Sequence, residues 1–167
     1  MTLPLLLIDV DGPLNPYASS NRQHRRNKIY REYRLNGFRV WLNRAHGEQF
    51  LALADLFELT WCTTWEHDAN SMIGPRIGLP ELPVVEFDKQ RIGSDDGTYF
   101  KTHEIVTSVA GRPFAWIDDE ITDIDREYVA AHHNGPALLH HVDPRLGLLP
   151  DDFAALAEWA NSLTATS

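Results

Sequence analysis

Two aspartates, separated by a single residue, follow the first apolar run of the chain. Asp9 and Asp11 come after the run at 3–8, and Gly12 turns the backbone next. Two carboxylates at the edge of a core are costly to desolvate unless a partner for their charge is present. A divalent cation, a phosphoryl group or both are the usual partners of such a pair. These residues therefore predict a binding site for such a group at the end of a buried strand.

Other side chains with oxygen or ammonium groups stand near the ends of later apolar runs. Thr63 and Thr64 end a second run, Asp118 and Asp119 end a later one, and Lys101 precedes a helical segment between them. Ligands of open α/β sheets collect at the carboxyl ends of the strands. We therefore expect these side chains to converge on the first aspartate pair in the folded protein.

Each of these residue types has a use if the ligand is a phosphate ester. Asp9 can attack phosphorus as an anionic nucleophile, and Asp11 can protonate the leaving oxygen and later take a proton from water. Thr63 can donate a hydrogen bond to a phosphoryl oxygen, and Lys101 can neutralise its charge. The later aspartate pair can hold Mg²⁺, which prefers hard oxygen ligands and lets an anionic nucleophile approach an anionic phosphate. Thr64 competes with Thr63 for the hydroxyl role, and we favour Thr63 because it continues the strand.

These residues together match a known set of motifs. The segment Asp9-Val10-Asp11-Gly12-Pro13-Leu14-Asn15, then Thr63, Lys101 and Asp118-Asp119-x-x-x-Asp123, resembles the four motifs of the haloacid dehalogenase superfamily. The resemblance implies a Rossmann-like sheet of strand order 3-2-1-4-5 and an aspartyl-phosphate intermediate on Asp9. It also implies Mg²⁺ bound by Asp9, the backbone carbonyl of Asp11 and a motif-four aspartate, with Asp119 the stronger candidate and Asp118 the alternative. The second aspartate implies phosphatase or phosphomutase chemistry, because dehalogenases of the superfamily lack it.

The order of apolar patterns predicts the fold class. Strand-like runs alternate with helical spacing, which is typical of an α/β protein with a doubly wound, mainly parallel sheet. Five strands are predicted, at 3–9, 58–63, 83–87, 114–118 and 137–142, and four helices, at 49–57, 102–110, 121–133 and 151–163. No repeat or long linker divides the chain, so residues 1–167 are expected to form a single domain.

One segment interrupts this alternation. Asn36-Gly37 lies between two apolar stretches and strongly favours a two-residue hairpin turn. The hairpin would form a small, basic cap-like insert at 16–45. Pairing Leu35 with Phe38 would place Phe38 on its buried face and Trp41 on its outer face.

The insert also concentrates positive charge. Six of the fifteen basic residues lie in thirteen positions: Arg22, Arg25, Arg26, Lys28, Arg31 and Arg34. They could guide an anionic substrate such as a nucleotide or a polynucleotide end, or they could form a solvated loop and hairpin face. The expected substrate contacts are Gly12, Asn15, Thr64, Arg25 and Arg26.

The bulk composition narrows the class of protein. The chain has a formal net charge of -9, which argues against a general surface for nucleic acid or anionic membranes. The first apolar run is too short to span a membrane. Cys62 is the only cysteine, so no internal disulfide can form, and a cytoplasmic location is expected.

The expected function is Mg²⁺-dependent hydrolysis of a phosphate monoester. Two alternatives stay open: a protein of this fold that binds or regulates without turnover, and an enzyme that transfers the phosphoryl group to an acceptor other than water. Asp11 and Lys101 argue against the first, because a binding protein needs no proton donor. The order of motifs argues against a bacterial receiver domain, in which strand three carries the single phosphoacceptor.

Overall fold

Four short apolar segments lie side by side as a parallel sheet, and two others form an antiparallel hairpin. The structure, a computed structural model, describes residues 2–20, 22–23, 28–88 and 95–165. Its strands are β1 Leu5–Ile8, β2 Tyr30–Leu35, β3 Phe38–Asn43, β4 Glu58–Trp61, β5 Phe114–Asp118 and β6 Ala137–His141. The sheet order is β4-β1-β5-β6, which confirms the predicted α/β class with a mainly parallel sheet.

The central strands β1 and β5 are buried on both faces. Leu6, Leu7 and Ile8 of β1 and Trp116 of β5 are inaccessible to solvent. Leu6 and Ile8 belong to one hydrophobic core, whereas Leu7 and Trp116 belong to a second core on the other face. Strands covered on both faces need continuous apolar sequence, which explains the unbroken run before Asp9.

Helices supply the outer layers of both cores. They are α1 Arg44–Ala52, α2 Gly74–Ile77, α3 Thr102–Val109, α4 Asp123–His132 and α5 Pro150–Ala165, with a π-helical turn at Ala69–Ile73. Phe50 of α1 and Phe153 of α5 pack in the first core, and Ile105 of α3 and Val129 of α4 pack in the second. Within the described ranges, no helix has both the length and the apolar character needed to cross a bilayer.

The first helix begins earlier than its apolar spacing indicates. The spacing predicts a helix at 49–57, whereas α1 runs from Arg44 to Ala52. It starts at Arg44 because the side chain of Asn43 accepts a hydrogen bond from Ala45 N. An asparagine cap satisfies a backbone donor that the helix itself leaves unpaired. Polar capping therefore decides this boundary.

Asp125 connects the starts of two helices next to the candidate site. Its side chain is fully buried and forms a capping box with Thr122 at the start of α4. It also accepts hydrogen bonds from Tyr99 N and Thr102 Oγ1, each at 2.7 Å, at the start of α3. These contacts fix the backbone on both sides of Lys101.

The predicted strand at 83–87 forms only a single bridge in the structure. Trp61 N donates to Pro83 O and Val85 N donates to Trp61 O, both at 2.8 Å, which makes one parallel bridge beside β4. Pro80 and Pro83 have no N–H group, so the ladder cannot extend toward the N-terminus of this segment. Beyond the bridge, Phe87 N donates to the side chain of Glu66 instead of to β4.

The hairpin has the predicted pairing, but two of its aromatic side chains are placed differently. Leu35 pairs with Phe38, and Asn36 and Gly37 both have positive φ angles, 49° and 80°. Phe38 was expected to be buried and is 66% exposed, whereas Trp41 was expected to face outward and is only 6% exposed. The backbone of Trp41 donates to Asn15 Oδ1 at 3.0 Å, so β3 lies against the loop after β1 at Trp41, whereas Phe38 stands beside the turn.

The buried His46 predicts how stability depends on pH. Its Nε2 lies 2.9 Å from Leu148 O, and burial lowers its pKa to about 4 from 6.5. Between these pH values the unfolded chain binds more protons, so stability present above pH 6.5 is lost as the pH falls toward 4. Between pH 7 and pH 4, we expect the free energy of unfolding to fall by up to about 3 kcal/mol more in wild type than in His46→Gln. Urea unfolding at the two pH values measures this difference.

A matched control for this prediction is His132→Gln, which alters an exposed histidine of α4. This control should keep the wild-type dependence of the unfolding free energy on pH. The same dependence in His46→Gln would contradict the assignment.

Candidate active site

A buried lysine joins the ends of three neighbouring strands. Lys101 Nζ lies 3.0 Å from Asp9 Oδ1 and 2.7 Å from Asp118 Oδ2, and it donates to Cys62 O at 2.9 Å. Asp9 follows β1, Asp118 ends β5 and Cys62 follows β4. The ammonium group therefore has an oxygen partner for each of its three hydrogens, which compensates for its burial. The sequence predicted this convergence for Lys101, Asp9 and Asp118.

Burial and the neighbouring charges have opposite effects on the pKa values of Asp9 and Lys101. Burial raises the pKa of Asp9 well above its usual value, and the ammonium of Lys101 opposes that rise. Burial disfavours the charge on Lys101, but the adjacent Asp9 and Asp118 carboxylates outweigh it and raise the lysine pKa. Lys101 is therefore a fixed positive charge beside Asp9.

A third carboxylate completes a cluster with the chemistry of a metal site. Oxygen atoms of Asp9, Asp118 and Asp119 all lie within 4.8 Å of one another. Tyr17 donates its hydroxyl hydrogen to Asp119 Oδ2 at 2.6 Å, but burial has the larger effect and raises the pKa of Asp119 to about 6. Three carboxylates beside one ammonium group leave an excess of negative charge, which fits a hard divalent cation. Both carboxylate oxygens of Asp118 already accept hydrogen bonds, Oδ2 from Lys101 Nζ and Oδ1 from Glu120 N, so Asp9 and Asp119 are the more available ligands.

The loop after β1 approaches Asp119 so closely that only glycine fits. Gly12 has a φ angle of +104°, and a Cβ atom there would lie 2.5 Å from Asp119 Cγ. Its N–H donates to Asn15 O at 2.8 Å, which closes the turn. Gly12 was predicted to contact substrate, and its clear role in the structure is to let this loop pass against the carboxylate cluster.

Asp11 is held by hydrogen bonds from two side chains. Asn15 Nδ2 donates to Asp11 Oδ1 and Trp65 Nε1 donates to Asp11 Oδ2, both at 2.9 Å. Asn15, also predicted to contact substrate, is 4% exposed, accepts a hydrogen bond from Trp41 N at its Oδ1 and lines a cavity beside Asp11. Asn15 thus links Asp11 to the hairpin.

The two threonines after β4 differ in exposure. Thr63 is fully buried, and its Oγ1 accepts a hydrogen bond from Trp65 N at 3.2 Å. Thr64 is exposed and lines the cavity at the carboxylate cluster. The proposed substrate contacts Arg25 and Arg26 lie outside the described residues.

A small cavity of about 220 Å³ opens at these groups. Its lining residues are Asp9, Asp11, Tyr17, Thr64, Tyr99, Lys101, Asp119 and Glu120. Sequence reasoning missed Tyr17, Tyr99 and Glu120. The first two have no charge or motif that marks them, and only the folded chain brings Tyr17 to Asp119 and the ring of Tyr99 to 5.5 Å from Lys101 Nζ. Glu120 directly follows the aspartate pair, and this position in the sequence could have marked it as a candidate site residue.

Comparison with known proteins adds little to this description. No family model matches the chain, and the search of curated proteins finds no match. Among solved structures, the crystal structure of a hypothetical protein from Xanthomonas campestris is similar, with 14% sequence identity and a TM-score of 0.46. The similarity covers 98% of this chain and 88% of the other. A similarity this distant carries no information about function.

Replacement of the buried lysine should destabilise the protein strongly. Lys101→Met leaves Asp9 and Asp118 buried without their positive partner, and we expect a loss of about 3–5 kcal/mol in the free energy of unfolding. Lys28→Met, at an exposed position, should change stability by less than about 0.5 kcal/mol. Urea unfolding measures both, and equal stability of the two variants would contradict the role given to Lys101.

A methyl group at Gly12 should be less tolerated than one at Gly37. Both glycines have positive φ angles, but a Cβ at Gly37 meets nothing within 4 Å. We expect Gly37→Ala to cost about 1 kcal/mol from backbone strain, and Gly12→Ala to cost about 2–4 kcal/mol because the clash with Asp119 adds to it. Thermal or urea unfolding of the two variants checks the difference, and equal losses would show that Asp119 moves away freely.

Proposed function

We propose that this protein is a Mg²⁺-dependent phosphohydrolase that acts through a covalent phosphoryl intermediate on Asp9. The observation that carries the proposal is the cluster of three aspartates around one buried lysine at the carboxyl ends of parallel strands. A carboxylate nucleophile, a fixed ammonium group and a metal-binding pair are what phosphoryl transfer to an aspartate requires.

The chemical steps use two aspartates in turn. Asp9 attacks phosphorus, the bond from phosphorus to the leaving oxygen breaks, and Asp11 gives that oxygen a proton. Asp11 then takes a proton from water as the water oxygen attacks phosphorus, and the bond to Asp9 breaks to release inorganic phosphate. Both oxygens of Asp11 accept hydrogen bonds from side-chain N–H groups in this structure. To act as an acid, Asp11 must replace one of these hydrogen bonds with a hydrogen bond to the leaving oxygen.

The remaining polar groups neutralise and orient the phosphoryl group. Lys101 stands beside the attacking carboxylate, and the hydroxyl of Thr63 or Thr64 donates to a phosphoryl oxygen. Asp9, Asp119 and the backbone carbonyl of Asp11 would hold Mg²⁺, which would supply charge neutralisation between Asp9 and the phosphate.

The proposal includes membership of the haloacid dehalogenase superfamily and its five-stranded sheet order 3-2-1-4-5. The parallel bridge between Trp61 and Val84 supports this order, because it sets the segment at 83–85 beside β4, where that order requires a strand.

The proposal also includes a cytoplasmic location. Cys62 is a free, buried thiol that needs no oxidising compartment, which supports this location.

Hydrolysis of an activated aryl phosphate tests the proposal directly. Wild type should hydrolyse p-nitrophenyl phosphate with Mg²⁺ and not with EDTA, and Asp9→Asn should lower the rate by at least about a thousandfold because the nucleophile is lost. Asp55→Asn removes an exposed carboxylate from the loop before β4, at the opposite end of the sheet, and should keep the wild-type rate.

Metal binding provides a readout that does not depend on turnover. Calorimetric titration with Mg²⁺ should show binding at one site in wild type and weaker binding in Asp119→Asn.

Two outcomes would count against the proposal. Full activity in Asp9→Asn would contradict the nucleophile assignment. Binding of a phosphate analogue without turnover of any ester would favour the alternative of a binding protein.

A further inference from the structure

A second, larger cavity adjoins the candidate active site. Its volume is about 580 Å³, within the range of small-molecule sites, and it shares Asp11, Tyr17 and Thr64 with the smaller cavity. Beyond these shared residues it is lined by Asn15 of the loop after β1, by the tip of the hairpin and by the segment after β4. Asp11, the proposed proton donor to the leaving oxygen, therefore stands between the two cavities.

The larger cavity contains an exposed aromatic side chain that the core does not use. Phe38 is 66% exposed, and its ring packs edge-on against Trp65 with the centroids 6.2 Å apart. An edge-on pair leaves the face of one ring open for another ring to stack on it. Burial of apolar surface in the core therefore does not explain why a phenylalanine stands at this position.

The walls of this cavity are fixed relative to each other and to Asp11. Asn36 Nδ2 donates to Asp68 Oδ2 at 3.1 Å, which joins the hairpin turn to the segment after β4. Trp65 Nε1 donates to Asp11 Oδ2, so the aromatic wall contacts the proposed acid directly. A leaving group whose oxygen reaches Asp11 would therefore extend into this cavity.

We propose that the larger cavity is the leaving-group subsite and that the substrate is a phosphate monoester of an alcohol with a planar ring. The inference rests on the proposed function. Phe38 and Trp65 offer the apolar contact for the ring, and Arg39, Asn36 and Asp68 line the same cavity with groups that can hydrogen-bond to its edge. Nucleosides and aryl alcohols such as benzyl alcohol share this chemistry.

A comparison of esters with and without a ring tests the subsite. We expect kcat/KM for nucleoside 5′-monophosphates and benzyl phosphate to exceed that for glycerol 3-phosphate by at least about tenfold, because the leaving alcohols of these esters have similar acidity and differ in the ring. The order of the two ring-bearing esters distinguishes a nucleoside from an aryl alcohol as the source of the ring. Phe38→Ala should lower kcat/KM for the preferred ring-bearing ester about tenfold more than for glycerol 3-phosphate, the factor expected for loss of one stacking contact.

Leu51→Ala is the matched control, because it removes an exposed apolar side chain of α1 that lines neither cavity, and it should keep the wild-type preference. Equal kcat/KM for all esters in wild type, or an equal loss for all esters in Phe38→Ala, overturns this inference and leaves the proposed function intact. Turnover of no ester contradicts the proposed function instead. In that case, titration with adenosine and with benzyl alcohol tests the subsite. At least one of them should bind to wild type and bind more weakly to Phe38→Ala.

Discussion

The interaction on which the rest of the site depends is the contact of one buried ammonium group with three strand ends. Lys101 is 1% exposed, and its Nζ meets Asp9, Asp118 and Cys62 O after three adjacent strands. Neither the lysine nor the carboxylates could be buried alone, because each charge would lack a partner in a medium of low polarity. The same contact that makes burial possible places a positive charge beside the proposed nucleophile.

This contact depends on helix starts that lie outside the site itself. Asp125 accepts hydrogen bonds from Tyr99 N, Thr102 Oγ1 and Thr122, and so holds the start of α3 to the start of α4. Lys101 lies between two of these donors, and its backbone position follows from them. The buried carboxylate of Asp125 thus sets the position of the ammonium group that we propose neutralises the phosphate.

The loop after β1 connects the carboxylate cluster with the hairpin. Gly12 passes against Asp119, and Asn15 joins Asp11 to the backbone of Trp41 in β3. The hairpin is therefore attached to the loop that carries the proposed acid, and its turn forms one wall of the larger cavity. Substrate selection and proton transfer would share this one loop.

Residue patterns alone predict the α/β class, the hairpin turn at Asn36-Gly37 and the meeting of Lys101 with Asp9 and Asp118, because apolar period, turn chemistry and the position of charges near strand ends can be read along the chain. The exposure of Phe38, the burial of Trp41 and the single bridge at 83–87 follow instead from how the elements pack together in the folded protein. The tertiary structure also brings Tyr17 to Asp119 across 102 positions. These outcomes depend on which elements cover one another, and that information is carried by contacts between distant segments.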